Sequence, residues 1–164
     1  MATCLHRFQL ESPAFGDGEP LPALYTAEGL DLSPPLHWRG EPAQTASFTL
    51  WMEDPDAPSG TWIHWVLFNI PGHIHALPAG LERLPELPNG ARHGRCGGVV
   101  HFPRLGYQGP EPPPGPSHHY CFQLFALART LPLEAGATPM AVRRAMQGHV
   151  LDRSWLVGTY ATAC

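Results

Sequence analysis

Residues 54–70 read DPDAPSGTWIHWVLFNI, and the change of character within this stretch decides the fold class. The first half is turn chemistry. Pro55 and Pro58 fix φ and withhold N–H donors, and Gly60 relaxes the backbone, so Asp54 and Asp56 sit on a rigid loop. The second half, Trp62 to Ile70, is apolar on both faces, the pattern of a strand buried between two layers. His64 falls one step inside that strand, on the face expected for Trp62 and Val66. A buried imidazole has to find hydrogen-bond partners, and a carboxylate in the preceding loop is a natural one. From these residues alone, a satisfied core histidine beside a turn-capping Asp56 stands level with a functional pair.

Working outward, Ser47 to Glu53 places Phe48, Leu50 and Met52 on one face by period-2 alternation. His118 to Leu127 does the same with His118, Tyr120, Phe122 and Leu124. Shorter apolar pieces at Leu5 to Leu10, Gly98 to Phe102 and Leu156 to Tyr160 are further strand candidates. Twenty prolines and seventeen glycines leave few stretches long enough for a helix. The exception starts at Thr138, a capping residue, with Pro139 in the first position and Val142, Met146 and Val150 at i, i+4 and i+8. Gly148 weakens it locally by ~1 kcal/mol relative to Ala. Together these elements predict a mainly β fold, a β-sandwich with one or two short C-terminal helices, over a single domain at 1–164.

Composition narrows the function. At 164 residues and 43% hydrophobic, the chain can bury a substantial core. It contains no Lys, and its Arg residues are scattered, so no basic face forms a nucleic-acid footprint. The start of the chain lacks a positive segment followed by an apolar block, and no apolar run reaches the ~18–20 residues that span a bilayer. Cys4, Cys96, Cys121 and Cys164 form no CxxC pair, and reduced thiols in a cytoplasmic protein are expected.

A second constellation follows the proline-rich loop Gly106-Tyr107-Gln108-Gly109-Pro110-Glu111-Pro112-Pro113-Pro114-Gly115-Pro116, a stiff surface loop that leads into Ser117-His118-His119-Tyr120. His118 and Tyr120 point to one side of the strand mouth, ~7 Å apart along the chain. They could clamp one anion, with glycine N–H groups completing a nest, or simply meet solvent. Adjacent residues on a strand point to opposite faces, so His118-His119 cannot readily chelate one ion; His73 and His75 could, but they lie in a Gly/Pro-flanked turn and are expected to be solvated. There is no G-x-S-x-G elbow, H-E-x-x-H helix, Walker loop or dinucleotide fingerprint, so neither metal, cofactor nor catalytic activity is expected. The alternative is a hydrolase that uses the Asp/His cluster for acid–base chemistry.

Read in order, these motifs resemble the phosphatidylethanolamine-binding protein (PEBP) family, in particular its bacterial YbhB/YbcL-like branch. Leu32-Ser33-Pro34-Pro35-Leu36-His37-Trp38 looks like the family's S-P-x-L-x-W segment, and Asp54 to Pro58 is its D-P-D-A-P signature. His64-Trp65, Asn69-Ile70-Pro71, Leu77-Pro78-Ala79-Gly80, the Gly106-Tyr107-x-Gly109-Pro110 rim and His118-x-Tyr120-x-Phe122 follow with matching spacing. The resemblance implies two antiparallel sheets, C-terminal helices and a shallow anion pocket formed by Asp54, Asp56, Pro58, His64, Gly109, His118 and Tyr120, with Tyr160 a softer match. It also implies ligands such as phosphate, phosphoethanolamine or acetate, a homodimer, and a link to kinase or protease regulation. Two positions depart from the pattern. His119 replaces a frequent Arg and so removes a fixed positive charge; His101-Phe102-Pro103 replaces Asp-Phe-Gly, which bears on the rim loop and ligand choice. With that charge gone, anion affinity is expected to depend on protonated His64 and His118, and to fall as pH rises.

Overall fold

The computed structural model describes residues 7–97 and 104–163. Two long neighbours, β3 (Ser47–Asp54) and β4 (Trp62–Pro71), pair antiparallel across the Asp-Pro turn. Their continuous apolar character places them inside a five-stranded sheet of order β10-β9-β3-β4-β6, with β6 at Arg92–His93, β9 at His118–Leu127 and β10 at Val150–Tyr160. A three-stranded sheet of order β1-β2-β5 (Gln9–Glu11, Leu36–Arg39 and Ala76–Leu77) covers one face. Between them lies the main core, where Phe48, Leu50, Met52, Trp65, Tyr120 and Phe122 meet Leu10, Leu36 and Trp38. A two-stranded ribbon, β7 (Arg95–Cys96) with β8 (Arg104–Leu105), supplements the two sheets.

The other face of the large sheet buries Trp51, Val66 and Phe68 against Val142 and Met146 of the single α-helix among the described residues, α1 (Pro139–Met146). Thr138 caps it by accepting a hydrogen bond from the Ala141 N–H at 3.1 Å. The helix stops short of the expected Val150. Gly148 adopts φ +79°, turning the chain into β10, where Val150 is exposed. The helix is therefore followed by the eleven-residue β10, more than twice the length expected from Leu156 to Tyr160. The Leu5–Leu10 candidate reduces to β1 among the described residues, and Gly98–Phe102 lies outside them.

The faces of β4 differ from simple alternation because it carries two bulges. One falls opposite Thr49, where Asn69 takes φ +57° and its side-chain amide pairs with both backbone groups of Leu131. In the other, Met52 pairs with Trp65 and Glu53 with Ile63, leaving His64 as the extra residue. Ile63 and Val66 consequently share the helix-side face, and His64 is separated from Val66 rather than aligned with it. His64 instead packs edge-on against Tyr120, with ring centroids 5.3 Å apart.

Strand β10 also fastens the early chain. Gly18 and Leu21 donate to the Val157 and Thr159 carbonyls at 2.7 Å, and the Leu10 N–H donates to Ser154 Oγ at 3.0 Å. Among the described residues no helix is long and apolar enough to cross a membrane. Cys96 and Cys121 are free thiols; Cys4 and Cys164 lie outside the described residues.

Candidate functional site

The Asp-Pro loop is held by its two carboxylates, each gripping the start of β9. Asp54, buried at the end of β3, accepts the Asp56 N–H at 2.8 Å through Oδ1 and His118 Nδ1 at 2.7 Å through Oδ2. Asp56 accepts both the backbone N–H and Nδ1 of His119, at 2.8 and 2.7 Å. That imidazole holds the Asp56 carboxyl below the usual range. Alternation on β9 sends His118 inward and His119 outward, so the histidine at the family's arginine position serves the loop and does not line the cavity.

His64 finds its partner elsewhere than expected. Its Nδ1 donates to the Gln108 carbonyl at 2.7 Å, and the Gln108 N–H returns a bond to the His64 carbonyl at 3.0 Å. The bulge in β4 and the proline-rich rim are thereby clamped in both directions. Burial holds the His64 pKa below the ordinary imidazole value, against the opposing pull of the Gln108 carbonyl and Asp54.

Asp31, which the sequence did not single out, anchors the rest of the rim. Its Oδ1 accepts the Gly109 N–H at 2.7 Å, and Arg83 lies 3.4 Å from Oδ2 while donating to the Tyr107 carbonyl at 2.8 Å. Only glycine fits at 109: a Cβ there would stand 2.4 Å from Asp31 Oδ1 and 2.8 Å from Thr26 Cα. The same contact engages the Gly109 amide, so that N–H is not free to join the expected glycine nest.

These segments surround a cavity of about 620 Å³, within the usual range for small-molecule sites. Asp54, Pro58, His64, Gly109, His118 and Tyr120 all line it. Asp56 does not, and neither does Tyr160, whose hydroxyl donates to Glu28. Arg104, Glu111 and Trp62 also line the cavity, and sequence reading missed all three. Arg104 sits on two-residue β8, too short to show periodicity, beside the His101-Phe102-Pro103 segment that lies outside the described residues. Its exposed side chain makes no ion pair or hydrogen bond among the described residues. The Tyr120 hydroxyl is buried with no hydrogen bond of good geometry, although the Asp54 carboxylate stands close to it; burial first, and then that carboxylate's charge, push its pKa well above the ordinary tyrosine value. Among the described residues it is a donor with no well-placed acceptor, since the neighbouring Asp54 oxygens already accept from Asp56 and His118. Among the described residues no three His, Cys, Asp or Glu side chains converge as metal ligands, and His75 of the other pair meets Glu41.

Comparison with known proteins gives a consistent answer. The model of the phosphatidylethanolamine-binding protein family matches residues 11–161. A UPF0098 protein of Methanothermobacter thermautotrophicus is 43% identical over 151 residues, covering 92% of this chain and 97% of that one. The crystal structure of E. coli YbcL, described as a member of the mammalian PEBP family, superposes with TM-score 0.86 at 31% identity, covering 96% of this chain and 100% of the other. Chlamydia trachomatis CT736, described as a PEBP homolog, gives 0.84 at 34% identity over 95% and 98%.

Proposed function

Because this chain belongs to the phosphatidylethanolamine-binding protein family, we propose that it is a binding protein whose cavity receives a small oxoanion, a phosphate or carboxylate carried by a larger molecule. The observation that supports this reading is Arg104, a cation without a protein partner among the described residues, on the wall of a cavity whose Asp31 and Asp54 are already bonded. At about 620 Å³ the space exceeds what one phosphate fills, leaving room for the rest of a head-group-like ligand. Any regulation of a kinase or protease would act through the same recognition of an anion on the partner.

Binding is favoured over turnover by the state of the histidines. Each has Nδ1 fixed by a carbonyl or carboxylate, and among the described residues neither is hydrogen-bonded to a hydroxyl that it could activate. Titration calorimetry with phosphate, phosphoethanolamine and acetate should give affinities near ~1 mM for so small a charged group. Arg104→Gln should weaken phosphate about tenfold, a loss of ~1.4 kcal/mol, while Trp155→Ala on the distant edge of β10 leaves it unchanged. Absence of binding by all three ligands would refute the proposal. Release of phosphate from phosphoethanolamine, abolished by His64→Ala, would replace it with the hydrolase reading.

A further inference from the structure

We propose that the cavity sorts oxoanions by a proton: it accepts hydrogen phosphate, which carries an O–H, and disfavours sulfate, which has none. This deepens the anion-binding reading and rests on it. The argument starts from the two histidines, whose tautomers are set by their partners. The Gln108 carbonyl can only accept, so His64 Nδ1 carries the hydrogen; the Asp54 carboxylate imposes the same on His118 Nδ1. A neutral ring then offers only the Nε2 lone pair, and among the described residues neither Nε2 has a hydrogen-bond partner. Both rings line the cavity.

The rim supplies few donors to offset those lone pairs. The Gln108 and Gly109 N–H groups are engaged by His64 and Asp31, and Pro58, Pro110, Pro112 and Pro113 have no N–H to offer. The donors that remain among the lining residues are Arg104, the Tyr120 hydroxyl, the Ser59 hydroxyl and the Trp62 indole N–H. Charged and titratable groups face His64 from every side: Asp54 at the end of β3, His118 and Tyr120 on β9, Arg104 on β8, Asp31 before β2 and Glu111 on the rim. Burial keeps His64 in its neutral, accepting form at neutral pH.

Hydrogen phosphate satisfies both halves of this arrangement. Its O–H donates to an imidazole Nε2 while its bare oxygens take the Tyr120 hydroxyl and Arg104. Sulfate has the same shape but sets an oxygen lone pair against a nitrogen lone pair, and a polar contact left unmade in a sheltered site carries its full desolvation penalty. The same asymmetry lets enzymes that hydrogen-bond a substrate hydroxyl reject the analogue that lacks it.

The test is titration of the whole protein with sodium phosphate and sodium sulfate at about pH 8, well above the ordinary imidazole value of ~6.5, where both ions are chiefly dianions. Phosphate should bind at least about tenfold more tightly. Tyr120→Phe should weaken both ions and leave their ratio unchanged. Burial lowers the His64 value, so on acidification well below the ordinary imidazole value of ~6.5 its ring becomes a donor, and sulfate affinity should rise. Equal affinity at pH 8 overturns the proton selectivity while leaving the anion-binding reading intact, as does a ratio that collapses in Tyr120→Phe or a sulfate affinity flat on acidification. Failure of both ions to bind refutes the anion-binding reading itself.

Discussion

His93 shows what a buried imidazole does when no ligand is involved. Its Nδ1 donates to the Leu84 carbonyl at 2.6 Å, and its Nε2 accepts from the Trp65 indole N–H at 3.1 Å, so both nitrogens are occupied only while the ring is neutral. Burial lowers its pKa, as it does that of His64. In the unfolded chain both titrate near ~6.5, so below that value the unfolded state binds more protons than the native state. Stability should therefore be full above ~6.5 and fall as pH drops toward the lowered native values. Thermal melts at about pH 7.5 and about pH 5 check this, and an unchanged midpoint would mean that neither ring resists protonation. Nothing in the sequence separates His93 from the other nine histidines. His64 and His118 were legible because each follows a rigid loop into an apolar run. The partner of His64 was not, since an imidazole pairs with whatever the tertiary fold brings: His64 meets a backbone carbonyl, and the loop carboxylate Asp54 goes to His118 instead.

Among the elements, α1 offers the simplest quantitative check. The Thr138 cap satisfies one otherwise orphaned donor, and Thr138→Ala should cost ~1 kcal/mol in chemical denaturation. A change below a few tenths would mean water replaces the hydroxyl at no cost. The strands β3, β4 and β9 were legible because apolar residues dominate them at the correct period or continuously. The bulges in β4 were not, because a bulge leaves composition unchanged and shows itself only in the partner strand's register. The true extent of β10 was hidden for a different reason: Val150, Leu151 and Trp155 are exposed, and its first half carries too little buried apolar character to mark it as a strand. Rim residues Asp31, Arg83 and Arg104 lie on loops or very short strands, where there is no period to read.

At the scale of the molecule, the two apolar clusters lie on opposite faces of one sheet, with Trp51 in one and Trp65 in the other. Because β3 and β4 contribute to both, melting one side removes the support of the other. Tryptophan fluorescence and far-ultraviolet circular dichroism should trace one coincident unfolding transition; two separated midpoints would show the sides to be independent. The order of motifs along the chain was enough to infer this architecture, whereas the placement of β9 and β10 beside β3 depends on non-local pairings that no local pattern encodes. Those pairings bear on how the chain is made. Leu10 takes its hydroxyl partner from Ser154, 144 residues further along. At translation rates of ~5–20 residues per second, β1 leaves the ribosome roughly 7–30 seconds before that anchor exists. Phe8 and Leu10 stay uncovered on that side meanwhile, so a nascent-chain chaperone that shields them would raise the yield of folded protein while leaving its equilibrium stability unchanged.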